Sequence, residues 1–339
     1  MASGDRIRSN LVFSAFNPPS HSMDERIPDE WILFGATAKG ASHERSATPN
    51  QDFFSFKTFT VNDQPAWVMA VADGHGSKCC FRSDRGAKFA VEAIMNLLPE
   101  APRLAGMNQK AYSLNLQQRI AHDWDEKVDA DMQGDPITRQ EMSGLPSHEQ
   151  AKFASRKRMA YGSTVIATLL TSEYMHAFQL GDGDLVLVKK DNTTLLPLAT
   201  DEKQLGNDTD SLCSPRAWAD FRSKLIPFHQ EKPLLVLLAT DGYKNSFRTD
   251  SGFLKVATDL VDFIRESGWE EIKNSLPTWL NEASQIGSGD DVTVGILVHR
   301  ELFAPAKSHP LPPTEPAEPP PASNENLSDP DTGGGSDAG

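Results

Sequence analysis

Five aspartates of this 339-residue chain lie where apolar segments of the sequence begin or end. Four stand in glycine-flanked turns and one opens an aromatic-rich segment; in that order they are Asp73, Asp182, Asp241, Asp290 and Asp52. Because Asp and Gly are common turn residues, turn chemistry alone explains any single one of them. Several uncompensated carboxylates in one place, however, repel each other unless a cation or protons intervene. If the fold gathers all five, the sequence predicts a site for two or three Mg²⁺ or Mn²⁺ ions, which prefer oxygen ligands.

The hexapeptide VADGHG at 71–76 is the centre of this pattern. The apolar run 66–72 predicts a strand buried on both faces, and Asp73 stands where that strand ends. Gly74 follows, and its missing side chain leaves its backbone carbonyl accessible as a further oxygen ligand. The second continuous apolar run, 234–240, also ends in Asp-Gly. Two buried strands are therefore predicted to end in the same dipeptide.

The strands and helices that position these side chains are predicted from hydrophobic periodicity. Strands are expected at 31–38, 53–59, 66–72, 163–171, 174–180, 185–190, 194–198, 234–240 and 292–298. Amphipathic helices are expected at 85–98, 114–132, 254–264 and 269–283, with a short helix at 217–224 and loops at 40–49 and 133–159. Short turns between the middle strands imply antiparallel pairing. Since strand ends on one side of a sheet gather, the aspartates are expected to meet.

Composition divides the chain into three regions. Residues 1–28 are polar, contain three prolines and are expected to form an extended leader. Residues 29–302 are expected to form one catalytic domain, since single domains of about 250 residues are common in layered folds. The tail, 303–339, holds nine of the 23 prolines, is acidic and ends in a Gly-rich run, so it is expected to be disordered.

The charge balance and the cysteines limit the function classes. A formal net charge of −14 argues against nucleic acid and anionic membranes as partners, and against a metal-dependent nuclease, because phosphate binding needs clustered Lys and Arg. The three cysteines, Cys79, Cys80 and Cys213, are an odd number without zinc-type spacing, and no apolar leader precedes them. We therefore expect a cytoplasmic monomer in a reducing compartment, without a membrane span.

Six short motifs, in this order along the chain, resemble the metal-dependent type 2C protein phosphatases. They are NQD at 50–52, ADGHG at 72–76, GST at 162–164, GDGD at 181–184, TDG at 240–242 and GDDVT at 289–293. The resemblance covers about residues 31–299. It implies an α+β fold, a four-layer αββα sandwich of two antiparallel sheets flanked by helix pairs.

The resemblance also implies roles for individual residues at a centre of Mg²⁺ or Mn²⁺. Asp73 would bridge two of these ions, with the Gly74 carbonyl as a further ligand. Asp241 and Asp290 would hold one of the two ions. These four residues match the family pattern without substitution.

Other positions match the family pattern less closely. Asp52 would reach the other side of the site through water, and Gln51 stands where many members have Glu. Asp182 matches the aspartate that in many members helps to hold a third, looser ion. Asp184 stands where the family usually shows Arg, so it either strengthens cation binding or faces solvent.

The phosphate contact is the largest departure. The family usually places a phosphate-binding Arg where this chain has Ala47, and the nearest candidates are Arg45 and His43. We expect Arg45 to contact the phosphate, although a solvated loop residue explains it equally well. His75 is expected either to protonate the leaving group or to make a structural hydrogen bond.

The resemblance implies a protein serine/threonine phosphatase whose nucleophile is a water or hydroxide that bridges the metal ions. Its partners would be a phosphorylated protein and a cognate Ser/Thr kinase, and these residues do not separate phosphoserine and phosphothreonine from phosphotyrosine or a small phosphoester. The alternative is a weak or inactive phosphatase-fold module that binds phosphoproteins in signalling. Ala47 favours that alternative, whereas the intact set Asp73, Asp241 and Asp290 argues against it. No cysteine lies in a loop like the cradle of a thiolate phosphatase.

Overall fold

Two antiparallel sheets of five strands each form the middle of the molecule. The computed structural model describes residues 30–104, 108–146, 149–150, 153–199, 210–229 and 232–303. One sheet contains Trp31–Ala38 (β1), Asp184–Val188 (β6), Thr194–Leu195 (β7), Leu235–Ala239 (β9) and Val292–His299 (β10), in the spatial order β1-β10-β9-β6-β7. The other contains Phe53–Val61 (β2), Gln64–Ala72 (β3), Val165–Leu170 (β4), Tyr174–Leu180 (β5) and Arg222–Pro227 (β8), in the spatial order β2-β3-β4-β5-β8.

Helices cover the outer face of each sheet. The helices include Ala41–Ser46 (α1), Ser83–Leu97 (α2), Gln109–Gly134 (α3), Arg139–Met142 (α4), Asp241–Lys244 (α5), Asp250–Ser267 (α6) and Trp269–Ile286 (α7). The pair α2 and α3 packs on the sheet that contains β3, and the pair α6 and α7 packs on the sheet that contains β10. The predicted α+β fold, a four-layer αββα sandwich, is confirmed.

Alternate residues of β3 face different layers, as the two-residue period of a strand requires. Val68 and Ala70 pack towards α2 and α3, whereas Met69 and Val71 pack between the two sheets. A side chain at Gly295 of β10 would place its Cβ 2.5 Å from Sδ of Met69, so the sheets can approach here only because that residue is glycine. Both faces of β3 are therefore covered, which explains why its apolar run is continuous rather than alternating.

The short connection between β2 and β3 is a two-residue hairpin turn. Its residues, Asn62 and Asp63, have φ angles of 50° and 60°. Asn and Asp tolerate this left-handed region and match the twist of a hairpin. The turn predicted before β3 is therefore present.

Three segments differ from the sequence predictions. Residues 40–49, predicted as a loop, contain α1, whose six residues include no buried side chain and hence no apolar period. The short helix predicted at 217–224 is a 3₁₀ turn, Ala217–Ala219, followed by the edge strand β8, whose residues are half-buried or exposed. The loop predicted at 133–159 contains α4 and the start of a 3₁₀ segment, Lys157–Tyr161.

The predicted leader, residues 1–28, and the predicted tail beyond Phe303 lie outside the described residues. The division of the chain into leader, catalytic domain and tail therefore stays a prediction. Within the described ranges, no helix combines the length and the apolar character that crossing a membrane requires.

Candidate metal centre

Asp52 and Asp73 are brought together by the pairing of β2 with β3. Phe53, the first residue of β2, lies opposite Ala72, the last residue of β3. Asp52 precedes the one strand and Asp73 follows the other, so the two side chains stand at the same end of the sheet. The register of one strand pair therefore places two predicted ligands side by side.

The same end of the other sheet carries the remaining aspartates. Ala239 ends β9 and pairs with Val294, near the start of β10, so Asp241 and Asp290 flank neighbouring strand ends. Asp182 lies in the turn between β5 and β6, and β6 begins opposite Ala239. The five aspartates predicted from sequence thus gather from both sheets at one edge of the sandwich.

The pKa values of three of these side chains are raised by burial and by the charges of the others. Burial raises the pKa of Asp73 well above its ordinary value, and the negative charges of Asp52, Asp241 and Asp290 raise it further. Burial raises the pKa of Asp52 to about 7, with hydrogen bonds from neighbouring threonines opposing the shift. The pKa of Asp241 is also raised, by burial and then by the charges of Asp182 and Asp290, against a hydrogen bond shared with Asp73. The five carboxylates form one electrostatic group.

Among the described residues, no three of the five aspartates place one carboxylate oxygen each within 4.8 Å of one another, but three of the five lack a cationic partner. Within the described residues, Asp52, Asp73 and Asp241 form no ion pair with a Lys, Arg or His. The hydroxyl of Thr240 donates to Oδ2 of Asp52 at 2.8 Å, while Oδ1 of Asp52 is buried and has no hydrogen-bond partner there. A buried carboxylate oxygen without a partner is costly unless a cation binds it. Oxygen donors of this kind suit Mg²⁺ and Mn²⁺.

The backbone that carries Asp73 and Gly74 is fixed on both sides. The Asp73 N–H donates to the Thr164 hydroxyl at 3.1 Å, and the Gly74 N–H donates to the Gln51 carbonyl at 3.1 Å. A Cβ on Gly74 would lie 2.6 Å from the carbonyl oxygen of Ser83 and 2.8 Å from that of Gln51. Glycine is therefore required here so that three backbone segments can meet beside Asp73.

Asp291 has a role that the sequence analysis did not identify. Its carboxylate, 3% exposed, accepts hydrogen bonds of 2.6 Å from the N–H groups of Gly40 and Gln51. It therefore fastens both ends of the segment 40–51 to the start of β10. No local sequence pattern indicates this role, because Gly40 and Gln51 lie 251 and 240 residues away from Asp291 in the chain.

The sequence model of one family matches this chain over the region that contains most of the site. The model described as protein phosphatase 2C matches residues 39–281, well over half of the chain. The chain belongs to the protein phosphatase 2C family. Four of the five aspartates lie inside the matched segment, and Asp290 lies shortly after it.

Solved structures with a similar fold include serine/threonine phosphatases. The serine/threonine phosphatase PstP/Ppp of Mycobacterium tuberculosis is 14% identical with a TM-score of 0.50, over 79% of this chain and 98% of that one. Stp1 of Staphylococcus aureus is 13% identical with a TM-score of 0.49, over 83% and 99%. A structure of the PstP catalytic domain with two manganese ions is 16% identical with a TM-score of 0.48, over 79% and 97%. At such identities the likeness concerns the fold alone. No curated protein matches the sequence.

The departure from the protein phosphatase 2C pattern at Asp184 is compensated by a lysine. Nζ of Lys244 lies 3.6 Å from Oδ2 of Asp184, whose side chain is 13% exposed. Lys244 ends α5, the helix that begins with Asp241. Asp184 therefore neither faces solvent nor adds an uncompensated charge, and the ion pair ties the start of β6 to the helix of Asp241. The sequence analysis had not identified Lys244.

The residues predicted to contact the phosphate or to protonate the leaving group, His75, Arg45 and His43, have different surroundings. The N–H of His75 donates to the Gly162 carbonyl at 3.0 Å; burial lowers the pKa of its ring, and the charge of nearby Asp182 opposes that shift. Arg45 is exposed on α1, where its role as a phosphate contact stays a prediction. His43, the other candidate, faces Asp290 and Asp291.

The three cysteines of this protein phosphatase 2C chain gather close to His75. The sulfur atoms of Cys79 and Cys80 lie 3.8 Å apart. A Cβ on Gly162 would lie 2.9 Å from Sγ of Cys80 and 3.3 Å from Sγ of Cys213. Burial raises the pKa of Cys80 to about 12 and also raises the pKa of Cys213. Both thiols are protonated at neutral pH, so neither is a ready thiolate nucleophile.

Proposed function

We propose that this chain is a metal-dependent phosphatase that hydrolyses phosphoserine and phosphothreonine in proteins. One observation carries the proposal: five carboxylates meet at one edge of the sandwich, and the most buried of them have no cationic partner among the described residues. Two divalent ions would satisfy this arrangement, with a third more loosely held. Membership of the protein phosphatase 2C family supports the same reaction class.

Each residue proposed to hold the ions has a different role in metal binding. Asp73 would contribute to both ion positions, together with the Gly74 carbonyl, and Asp241 and Asp290 would help to hold one of the two ions. Asp52 would contribute through water. Asp182 would help to hold a third ion. When bound, Mg²⁺ or Mn²⁺ lowers the pKa of a coordinated water and neutralises phosphoryl oxygens, which supplies both the nucleophile and the charge stabilisation.

The remaining residues hold this ligand set in place and handle the substrate. The Thr240 hydroxyl orients one oxygen of Asp52 and leaves the other free for the site. Asp291 fixes the chain that leads into Asp52 through the Gln51 N–H. His75, close to Asp182, is proposed to protonate the leaving alkoxide, and Arg45 to contact the phosphate.

We also propose that the enzyme works in the cytoplasm as a monomer, opposite a Ser/Thr kinase. A second candidate function is a phosphoprotein-binding module without turnover, which the exposed position of Arg45 and the absence of the family's Arg at Ala47 favour. The two candidates differ in whether phosphate is released, since a binding module leaves the phosphoester intact.

The test is release of phosphate from a phosphothreonine peptide by the full chain, with Mn²⁺, with Mg²⁺ and with chelator. The proposal expects release that depends on the metal, and slower release from the matching phosphotyrosine peptide. A module without turnover would bind the phosphothreonine peptide and release nothing in any condition. Equal rates with metal and with chelator would contradict the metal-dependent mechanism.

A further inference from the structure

His43 lies against the two adjacent aspartates that precede β10. Its Nε2 is 3.8 Å from Oδ1 of Asp290, and its Nδ1 is 2.9 Å from Oδ2 of Asp291. One ligand atom from each of the three residues lies within 4.8 Å of the other two, and no other group of three His, Cys, Asp or Glu side chains meets that spacing within the described ranges. The imidazole is 16% exposed and therefore partly shielded from water.

We propose that His43 is a nitrogen ligand of the divalent ion that Asp290 binds, and that Asp291 orients the imidazole from behind. This inference rests on the proposed metal-dependent function, and it adds a ligand of a different chemical kind to a centre otherwise made of oxygen atoms. The ion it favours is a divalent first-row transition metal, since imidazole nitrogen suits such ions better than it suits Mg²⁺.

The distance between Nε2 and Asp290 supports a shared ion. A separation of 3.8 Å is too long for a hydrogen bond. Two ligand atoms that each lie about 2.1–2.2 Å from one ion, at an angle of about 90–120°, are about 3.0–3.8 Å apart. The observed separation lies at the upper end of that range, and Oδ1 of Asp290 also accepts a hydrogen bond of 2.9 Å from the Asp291 N–H.

The position of Asp291 supports the same arrangement. A histidine that binds a metal through one nitrogen almost always places its other nitrogen against a carboxylate or carbonyl, which fixes the tautomer and the ring orientation. Asp291 stands at the Nδ1 side of His43, and its carboxylate is itself held by the N–H groups of Gly40 and Gln51. Nδ1 is buried and makes no hydrogen bond among the described residues, and the Asp291 carboxylate is the charged group that lies against it.

The helix that carries His43 is fastened to the segment that carries Asp290. Both the N–H and the hydroxyl of Ser42 donate to the Gly289 carbonyl, at 2.8 and 2.6 Å. The Ala41 N–H donates to the Ser284 hydroxyl at 3.0 Å, and that hydroxyl donates to the Asp290 carbonyl at 2.8 Å. These hydrogen bonds join the start of α1 to the segment that precedes β10. They hold His43 next to Asp290 through the backbone, so the placement does not depend on a flexible surface side chain.

The experiment is electron spin echo spectroscopy of the full chain loaded with Mn²⁺, which detects nitrogen nuclei bound directly to the ion. We expect nitrogen-14 modulation from a coordinated imidazole, and its replacement by a nitrogen-15 signal when only the histidines are isotopically labelled. The labelling needs no substitution, so the result does not depend on whether a variant folds. His43→Ala should abolish the modulation, whereas His122→Ala, on an exposed face of α3, should keep it. His75→Ala should also keep it, because His75 lies by Asp182.

The same variants give a second readout in metal affinity. In His43→Ala we expect Mn²⁺ to bind at least about tenfold more weakly, with Mg²⁺ affinity changed by less than about threefold. Absence of imidazole modulation in the unmodified protein, or its loss in His75→Ala but not in His43→Ala, would overturn the inference. If the modulation is present but no phosphopeptide is hydrolysed, the proposed function fails and the His43 ligand stands. If hydrolysis is metal-dependent without the modulation, only the His43 ligand fails.

Discussion

The molecule contains two groups of carboxylates whose surroundings are opposite. The helix group lies at α2, α3 and α4 beside arginines, and consists of Asp129, Asp131 and Glu141 with Arg82, Arg85 and Arg158. The strand-end group lies at one edge of the sandwich, and consists of Asp52, Asp73, Asp182, Asp241 and Asp290. Hydrogen bonds from Arg82 lower the pKa of Glu141 to about 2, whereas burial raises the pKa of Asp52 to about 7.

The difference separates carboxylates that stabilise the fold from carboxylates that we propose bind metal ions. In the helix group the chain supplies the positive charge, so the acidic side chains are stabilised by folding itself. In the strand-end group the described part of the chain supplies none to Asp52, Asp73 or Asp241, so folding places like charges together at a cost. Such a cost is consistent with a site whose stabilising charge comes from outside the chain.

The largest effect is expected from Asp73→Asn. Removing the carboxylate that we propose contributes to both ion positions should lower Mn²⁺-dependent hydrolysis of an aryl phosphate by at least about a thousandfold, which corresponds to about 4 kcal/mol in the barrier. In chelator the same variant should melt at a higher temperature than the unchanged protein, because repulsion with Asp52 and Asp241 is relieved. Activity and circular dichroism melting measure the two effects.

Asp131→Asn is the reference for that variant. It removes one carboxylate from the helix group, where Arg85 lies 3.0 Å away, and should leave activity within about twofold while lowering the melting temperature. An active Asp73→Asn variant, or equal effects of the two substitutions on activity, would remove the functional distinction between the groups.

A smaller effect, on stability alone, is expected from Arg82→Ala. The Arg82 side chain is 3% exposed; its Nε donates to Glu141, and its Nη1 donates to the Tyr161 hydroxyl and the Asp135 carbonyl, each at 2.7 Å. Removing it leaves partly buried acceptors without a partner and should lower the free energy of unfolding by about 3 kcal/mol. Urea denaturation measures the change.

Lys255→Ala is the matched control for Arg82→Ala. Lys255 makes an exposed ion pair with Asp259 on α6, and its loss should cost about 0.5 kcal/mol or less. Similar costs for the two variants would show that the helix group stabilises the fold no more than an ordinary surface pair does.

The smallest effect is expected from Glu141→Gln. It concerns how the free energy of unfolding changes as the pH falls below about 4.5. Because the pKa of Glu141 is lower in the folded chain than its ordinary value of 4.5, its stabilising effect is complete above about pH 4.5 and is lost as the pH falls towards about 2. After allowance for solvent screening, that contribution is about 1–2 kcal/mol. The variant should be less stable at pH 7 and should lose less stability on acidification. Parallel profiles of the variant and the unchanged protein would contradict this account.

Much of the fold could be predicted because the periodicity of apolar residues is a local property of the sequence. The buried strand β3 and the helices α2, α3, α6 and α7 have strong periods in their apolar residues, and each was predicted within a few positions. The strand β8 and the helix α1 were missed because β8 is a half-buried edge strand and α1 buries no side chain. Neither element carries the apolar pattern on which sequence prediction depends.

The candidate site shows the same division at the level of single residues. Asp73 and Asp241 stand out in the sequence because each ends a buried apolar run with Asp-Gly. Asp291 and Lys244 have no such local signal, since their partners Gly40 and Asp184 are far away in the chain. His43 likewise becomes a candidate ligand only when α1 is seen to dock beside Asp290.

The sequence alone determined which residue types occupy the strand ends, because the apolar runs and the Asp-Gly turns that follow them are local properties of the chain. Only the tertiary structure decided which strand ends coincide, because strand register joins residues that are distant in the chain. It also decided which charges are compensated: Asp184 meets Lys244, whereas Asp52 and Asp73 meet each other. Charge compensation depends on distance in space and on burial, and neither can be read from a position in the sequence.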